Sequence, residues 1–408
     1  MHRKTKIANS TSEEREVILS ALAYELFGKP LKLPSSFDWN TVFRESISQT
    51  VFPLVYSALC DRLPSEIKEK WETRFLQCLA SNIRINAAHS EIHKLMQSSA
   101  IPYVILKGCA SSGYYPKPEL RTMGDVDFLV GSSDLERCSS LLDNHGIRRT
   151  DDGTHSFHRS FVLHNITYEL HWSISGIPDV GGEKIRTCCE KIFSDMVYRD
   201  VPDGGYYVPS DFHHGLILLL HTASHLTTTG IGLRHLCDWA VFIEKLPDVL
   251  FRESFEGILK EIGLWDLAKT LTAMSSRYLG AGMRPWASDV DEGLTESLMN
   301  DIWQGGNFGG KDPQRMSYRV LMIDDATHRI EKRGFIPALA LAVHRKAKIF
   351  YPKMSASYIF LPVAWISVCC RYSWQVLTKK RPWLKFGKDA KTARQRKAFL
   401  DQLKLFEA

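Results

Sequence analysis

The sequence predicts an α+β protein, a small mixed β-sheet flanked by helical regions on its N-terminal and C-terminal sides. Three observations carry that reading. Apolar and polar residues alternate over Asp125–Val130 and again over Ile166–Trp172, the period of two that marks strands with one buried face. Phe157–Leu163 forms a further strand just before the second of these, with His164-Asn165 as the turn between, so the sheet should be mixed. The chain before residue 100 and after residue 208 reads as helices and their connections.

In order, residues 1–9 read as a tail, and Thr11-Ser12-Glu13-Glu14 fits a capping box opening a helix to about Phe27. Pro30 and Pro34 stop it. Asp38 to about Leu59 and Ser65 to about Ser99 follow as helices, the second amphipathic through Trp71, Phe75, Leu79, Ile83, Ile92 and Leu95, a face to be packed on the next unit. Val104-Ile105-Leu106, then Lys107-Gly108, then Cys109-Ala110-Ser111-Ser112 read as strand, tight turn and helix start. Ser132-Ser133-Asp134 caps a helix to about His145, stopped by Gly146. Glycine-rich segments at 180–182 and 203–205 read as loops, and Pro209-Ser210-Asp211 caps a helix whose Leu216–Leu220 run is wholly apolar. The expected organisation is a helical region 1–99, an α/β core 100–208, a helical region 209–300 packing on the site, and a C-terminal helical region 301–408 with a basic end.

Composition narrows the class. At 408 residues the chain can bury a sizeable core; 44% hydrophobic and 24% charged residues are ordinary for a soluble globular protein. A net charge of +6 argues little for general nucleic-acid binding. Nine cysteines without a CxxC suggest neither a zinc ribbon nor a secreted disulfide framework, so a reducing cytoplasm is the expected setting. The basic N-terminus turns polar at Ser10–Glu16 and lacks a signal peptide's apolar segment.

The chemistry concentrates between residues 101 and 172. Asp125 and Asp127 share one face of a strand whose other face, Val126, Phe128 and Val130, is apolar. Two such carboxylates ~4 Å apart repel by roughly 4 kcal/mol at an effective dielectric of ~20. They therefore either share a proton or bracket a divalent cation, and Mg²⁺ favours hard oxygens completed by substrate phosphates. Lys107 and the Gly108 amide suit an anion, and Glu169 supplies a third carboxylate on the face of its strand that also carries Thr167 and His171. His221 and His225 fall on one helical face, which suits a metal, a phosphate-lining pair or hydrogen-bonded core histidines; the intervening Thr-Ala-Ser is not that of a zinc protease. Arg234 and Asp238 have the spacing of a plain helix ion pair.

The order Lys-Gly, Arg-x-Met-Gly-Asp-x-Asp (Arg121 to Asp127, with Gly124) and Glu-Leu-His-Trp (Glu169 to Trp172) resembles a bacterial nucleotidyltransferase family of the DNA polymerase beta-like superfamily. The match runs over roughly Val104–Trp172 and extends more weakly to His221, His225, Arg234 and Asp238, which look like that family's HxxxH…RxxxD helices. The resemblance implies a nucleotidyltransferase core in which Asp125, Asp127 and Glu169 bind two Mg²⁺ ions, Mn²⁺ being an alternative. Lys107, Gly108, Arg121 and Gly124 would hold the phosphates of a nucleoside triphosphate, ATP being expected. His171, His221, His225, Arg234 and Asp238 would stand around the acceptor or behind the acids. NMP transfer to an unidentified hydroxyl or phosphate acceptor, a peptide, saccharide precursor or small molecule, is the implied reaction. Phosphoryl transfer at the same site and a catalytically inactive scaffold are the alternatives. One departure is that Lys107-Gly108-Cys109 replaces the superfamily's Gly-Ser turn, so no hydroxyl directly follows the glycine.

Two later stretches stand apart. Ile302–Lys311, with two Gly-Gly pairs, reads as a connector in preference to a lid. Met354–Cys370 is uncharged for seventeen residues but interrupted by Pro362 and three serines, and reads as a buried or groove-packing helix before membrane-surface contact. The basic end beyond it, from Lys379 to Lys397, suits a solvated helix end, RNA or anionic lipid.

Overall fold

The computed structural model describes residues 12–151, 157–201, 204–312, 335–378 and 386–407, with residues 315, 322, 323 and 327–329 between. Helix α1 (Ser12–Phe27) begins where the acidic first turn predicts; Thr11 of the expected capping box lies outside the described residues. The helix expected from Asp38 to Leu59 is two, α2 (Trp39–Ser48) and α3 (Phe52–Leu59). Asp38 caps α2 by accepting the N–H groups of Asn40 and Thr41. The break follows from Thr50, which takes a left-handed φ of 56°, and from Pro53, which cannot continue a preceding helix but suits the first turn of a new one.

Helix α4 (Ser65–Ser98) serves two cores, and this corrects its sequence-based face. Trp71 is buried among the N-terminal helices, whereas Ile85, Ala88, Ile92 and Met96 pack beneath the sheet. Ile83, expected on the buried stripe, is 64% exposed, because the stripe that meets the sheet is offset from the one that holds Trp71. Asn82 is buried instead: its amide donates to the carbonyls of Glu119 and Arg121, and its oxygen accepts from the Met123 N–H. A helix side chain thus shapes the irregular segment entering the acidic strand.

The sheet contains β1 (Tyr103–Ile105), β2 (Asp125–Val130), β3 (Arg148–Arg149), β4 (His158–Leu163) and β5 (Ile166–His171) in the order β1-β2-β5-β4-β3. β2 and β5 are parallel and every other neighbouring pair is antiparallel, so the sheet is mixed. His164 and Asn165 both take left-handed φ values, 49° and 62°, as a two-residue hairpin turn requires. Val126, Phe128, Val130, Tyr168 and Leu170 face α4 and α6 (Leu135–Asn144). Short α5 (Cys109–Ser112) follows β1. Beyond the sheet come α7 (Glu183–Cys189) and a small hairpin of β6 (Val197–Arg199) and β7 (Tyr206–Val208) that the loop reading of this region did not anticipate.

The other face of the sheet looks toward α8 (Asp211–Thr227) and α9 (Leu233–Lys245). Ser210 caps α8 by accepting from the His213 N–H, and Leu216–Leu220 are buried as their run predicts. All nine cysteines are free. Among the described residues no helix is long and apolar enough to cross a membrane. The stretch expected as a buried or groove-packing helix differs from that expectation: its helix spans Leu361–Leu377 and exposes much of its apolar surface, because only one side of it meets a neighbouring helix.

Candidate active site

Parallel pairing of β2 with β5 builds the site. Asp127 stands directly opposite Glu169, and Asp125 opposite Thr167, so the three carboxylates project from one face while their neighbours' side chains fill the core behind. His171, one strand repeat beyond Glu169, turns its Nε2 to Asp127 Oδ1 at 3.0 Å and to Glu169 Oε2 at 3.3 Å. Lys107 Nζ lies 3.1 Å from Asp127 Oδ1. Donor atoms of Asp127, Glu169 and His171 all fall within 4.8 Å of one another, compact enough for one cation.

Electrostatics follow from this crowding. The Asp127 charge and burial push the Asp125 carboxyl up to about 6. Burial also opposes ionisation of Asp127, but Lys107 and the His171 hydrogen bond prevail and hold it below the usual carboxylate range. In the same way Lys107 stays protonated against its burial because Asp127, Asp125 and Glu169 surround it. The face is arranged to take positive charge. Hard carboxylate oxygens in this number fit Mg²⁺ or Mn²⁺ better than a soft metal.

A cavity of about 380 Å³ opens over these groups. Lys107, Gly108, Gly124 and the acids line one side; His221, His225, Arg234, His235 and Phe308 line the other. Gly108 adopts φ 51°, a conformation that side chains disfavour, at the turn between β1 and α5. Because α5 is a single turn, its dipole is slight, and charge on a bound anion is left to side chains and individual amides. Gly108→Ala should lower the urea midpoint by the equivalent of about 1–3 kcal/mol. The cost is conformational, since a Cβ there meets nothing closer than 3.8 Å.

Arg121, expected at the phosphates, lines the cavity but is held by Asp238: Nε reaches Oδ1 at 2.7 Å and Nη2 reaches Oδ2 at 2.8 Å. The Tyr115 hydroxyl donates to the same carboxylate. Asp238 therefore pairs across to the core segment before β2, not with Arg234 along its own helix as the i, i+4 spacing suggests. Arg234 is left facing the cavity, with the Thr122 carbonyl at 3.4 Å and the Phe308 ring at 5.5 Å; it has no carboxylate partner among the described residues.

His221 and His225 meet through their Nε2 atoms at 3.0 Å, and His235 from α9 joins them, all three with donor atoms within 4.8 Å. Burial keeps them neutral, driving His221 and His235 well below the ordinary histidine value and His225 to about 3. The Gly232 N–H donates to His235 Nδ1, which leaves the ring proton on Nε2. That Nε2 has no hydrogen-bond partner among the described residues. His235 thus offers the cavity an N–H, which suits an oxygen acceptor better than a cation.

Sequence reasoning did not single out His158, His235 or Phe308. His158 pairs with His171 across the hairpin and lies 3.9 Å from Glu169, a position that alternation along β4 signals. His235 adjoins Arg234, but only the packing of α9 on α8 reveals it. Phe308, in the stretch read as a plain connector, takes φ 53° and packs on His225 with ring centres 4.6 Å apart, so that stretch walls the cavity.

No curated protein matches the chain. Among solved structures, it is similar to an antigenic nucleotidyltransferase-like protein from Paracoccidioides brasiliensis. The identity is 14% and the TM-score 0.31, over 50% of this chain and 96% of that one, too distant a likeness to bear on the site. A family model described as uncharacterised nucleotidyltransferase matches residues 35–280, which include all of β1–β5, α8 and α9. The chain belongs to that nucleotidyltransferase family.

Proposed function

We propose that the protein transfers NMP from a nucleoside triphosphate, ATP for preference, to a hydroxyl or phosphate oxygen of an acceptor, in the manner of DNA polymerase beta-like enzymes. The observation that carries this is the pairing of Asp127 with Glu169 across β2 and β5, with Asp125 on the same face. Those three residues would hold magnesium, as one ion or two. When bound, it offsets the carboxylates and draws charge from the phosphates.

The chain's own groups define the rest. Lys107, the Gly108 N–H and Arg234 bind the triphosphate, their charge meeting that which develops on the departing oxygens. Attack by the acceptor oxygen forms its bond to the α-phosphorus as the bond from that phosphorus to the bridging oxygen breaks, and pyrophosphate leaves. The acceptor's proton, where it is a hydroxyl, passes to a carboxylate oxygen of Glu169. His171 keeps Asp127 and Glu169 in mutual register. His221, His225, His235 and Phe308 form the opposite wall, where neutral imidazoles and an aromatic ring receive the acceptor.

Triphosphate labelled at the α-phosphorus, supplied with Mg²⁺ and a peptide or metabolite extract, should label an acceptor and release pyrophosphate. Equal labelling by Asp125→Ala would defeat the assignment, and release of nucleoside diphosphate instead would point to phosphoryl transfer.

A further inference from the structure

We infer that the C-terminal helical pair is a docking surface for an anionic membrane, on which it lies without crossing. The Phe335–Phe350 and Leu361–Leu377 helices pack together through Ala347, Ala364 and Val368, with Val343, Tyr351 and Met354 around them. That contact occupies one side of the second helix. On its other side Val363, Ile366, Cys370, Trp374 and Leu377 recur at steps of three and four, which places them on a single face, and all five are exposed. Ile366, Trp374 and Leu377 keep 62%, 67% and 73% of their surface in solvent. The turn that enters the helix adds Tyr358 and Ile359, at 94% and 82%. A stripe of this kind marks an interaction surface.

Charge selects the occupant. From residue 335 to 378 the chain has five basic residues, Arg345, Lys346, Lys348, Lys353 and Arg371, and no aspartate or glutamate. The sequence then continues through Lys379, Lys380, Arg381 and Lys385, still without an acid before Asp389. A second copy of this surface would bring like charge against like. An anionic bilayer offers both what the stripe needs, apolar depth, and what the flanks need, negative headgroups, with Trp374 and Tyr358 suited to the boundary between them. At 17 residues the helix is about 26 Å long, short of a ~30 Å hydrocarbon core, and carries Arg371 on its length. It therefore lies in the interface. Among the described residues none of the cavity's lining comes from this pair, so membrane docking and the chemistry occupy separate parts of the molecule.

The full chain, sedimented with phosphatidylcholine vesicles with and without phosphatidylserine, should partition at least about tenfold more to the anionic vesicles. At ~1 M salt, where the screening length falls to about 3 Å, that preference should shrink. Ile366→Asp with Trp374→Asp should reduce partitioning tenfold or more. Brominated lipid should quench tryptophan fluorescence of the unaltered protein, and Trp374→Phe, which keeps the packing, should remove part of that quenching. Indifference to phosphatidylserine, or no quenching by brominated lipid, would overturn the inference. So would vesicle-independent dimers abolished by the double variant, or salt-sensitive binding to RNA with none to vesicles.

Discussion

Replacing Asp127 by asparagine should abolish NMP transfer, lowering kcat/KM on the order of a thousandfold or more, about 4 kcal/mol of transition-state stabilisation. The change removes one negative charge and keeps the shape. Asp127 is the acid that contacts both Lys107 and His171 and stands opposite Glu169, so it is the junction of the constellation. An amide oxygen still accepts from Lys107, and Asp125 and Glu169 remain to compensate that ammonium. The fold should therefore survive, with an unchanged circular dichroism spectrum and little shift in Tm. Loss of activity with retention of fold separates a role in chemistry from a role in packing. Transfer at the original rate would mean that the three acids do not act as proposed.

Asp238→Ala should do the opposite, striking stability first. The carboxylate is buried, doubly bonded by Arg121 and bonded again by Tyr115, and its loss strands a guanidinium in the interior. Breaking one half of such a pair costs about 3–5 kcal/mol, a large part of the roughly 5–15 kcal/mol that holds a typical domain. A urea titration should show the midpoint fall accordingly. Replacing both members, Arg121→Met with Asp238→Leu, should recover much of the loss, because no charge is then left alone. The pH dependence has a definite sign. Although burial opposes its ionisation, Arg121 holds Asp238 below the ordinary carboxylate value, so the folded state binds fewer protons than the unfolded chain. Its contribution is complete above the unfolded pKa near 4 and is lost as pH falls through the lower folded value. The alanine variant should lack that segment of the acid-unfolding curve.

What the sequence disclosed and what it withheld divide along physical lines. The acidic strand, the Glu169 strand and the hairpin between β4 and β5 were legible because alternation is a local property, and so was the sharing of one face by Asp125 and Asp127. The partner of Arg121 was not, since Arg234 and Asp238 offer a perfectly good local pair and only tertiary packing reassigns the carboxylate. His235 and Phe308 enter the cavity through the meeting of distant segments, which leaves no periodic trace. The offset of the buried face along α4 arises from one rod serving two cores. Composition alone makes the uncharged stretch near residue 360 a buried or groove-packing helix, whereas its surroundings leave much of its apolar surface facing out.

The pairing of β2 with β5 has one more implication. Slipping either strand by a single residue would carry Phe128 or Leu170 onto the cavity face and turn an acid inward, so the apolar layer acts as an index that locks the spacing of the three carboxylates. The wall formed by α8, α9 and the Phe308 loop is subject to no such index. Residues of that wall can therefore be exchanged without disturbing the register that holds the carboxylates together.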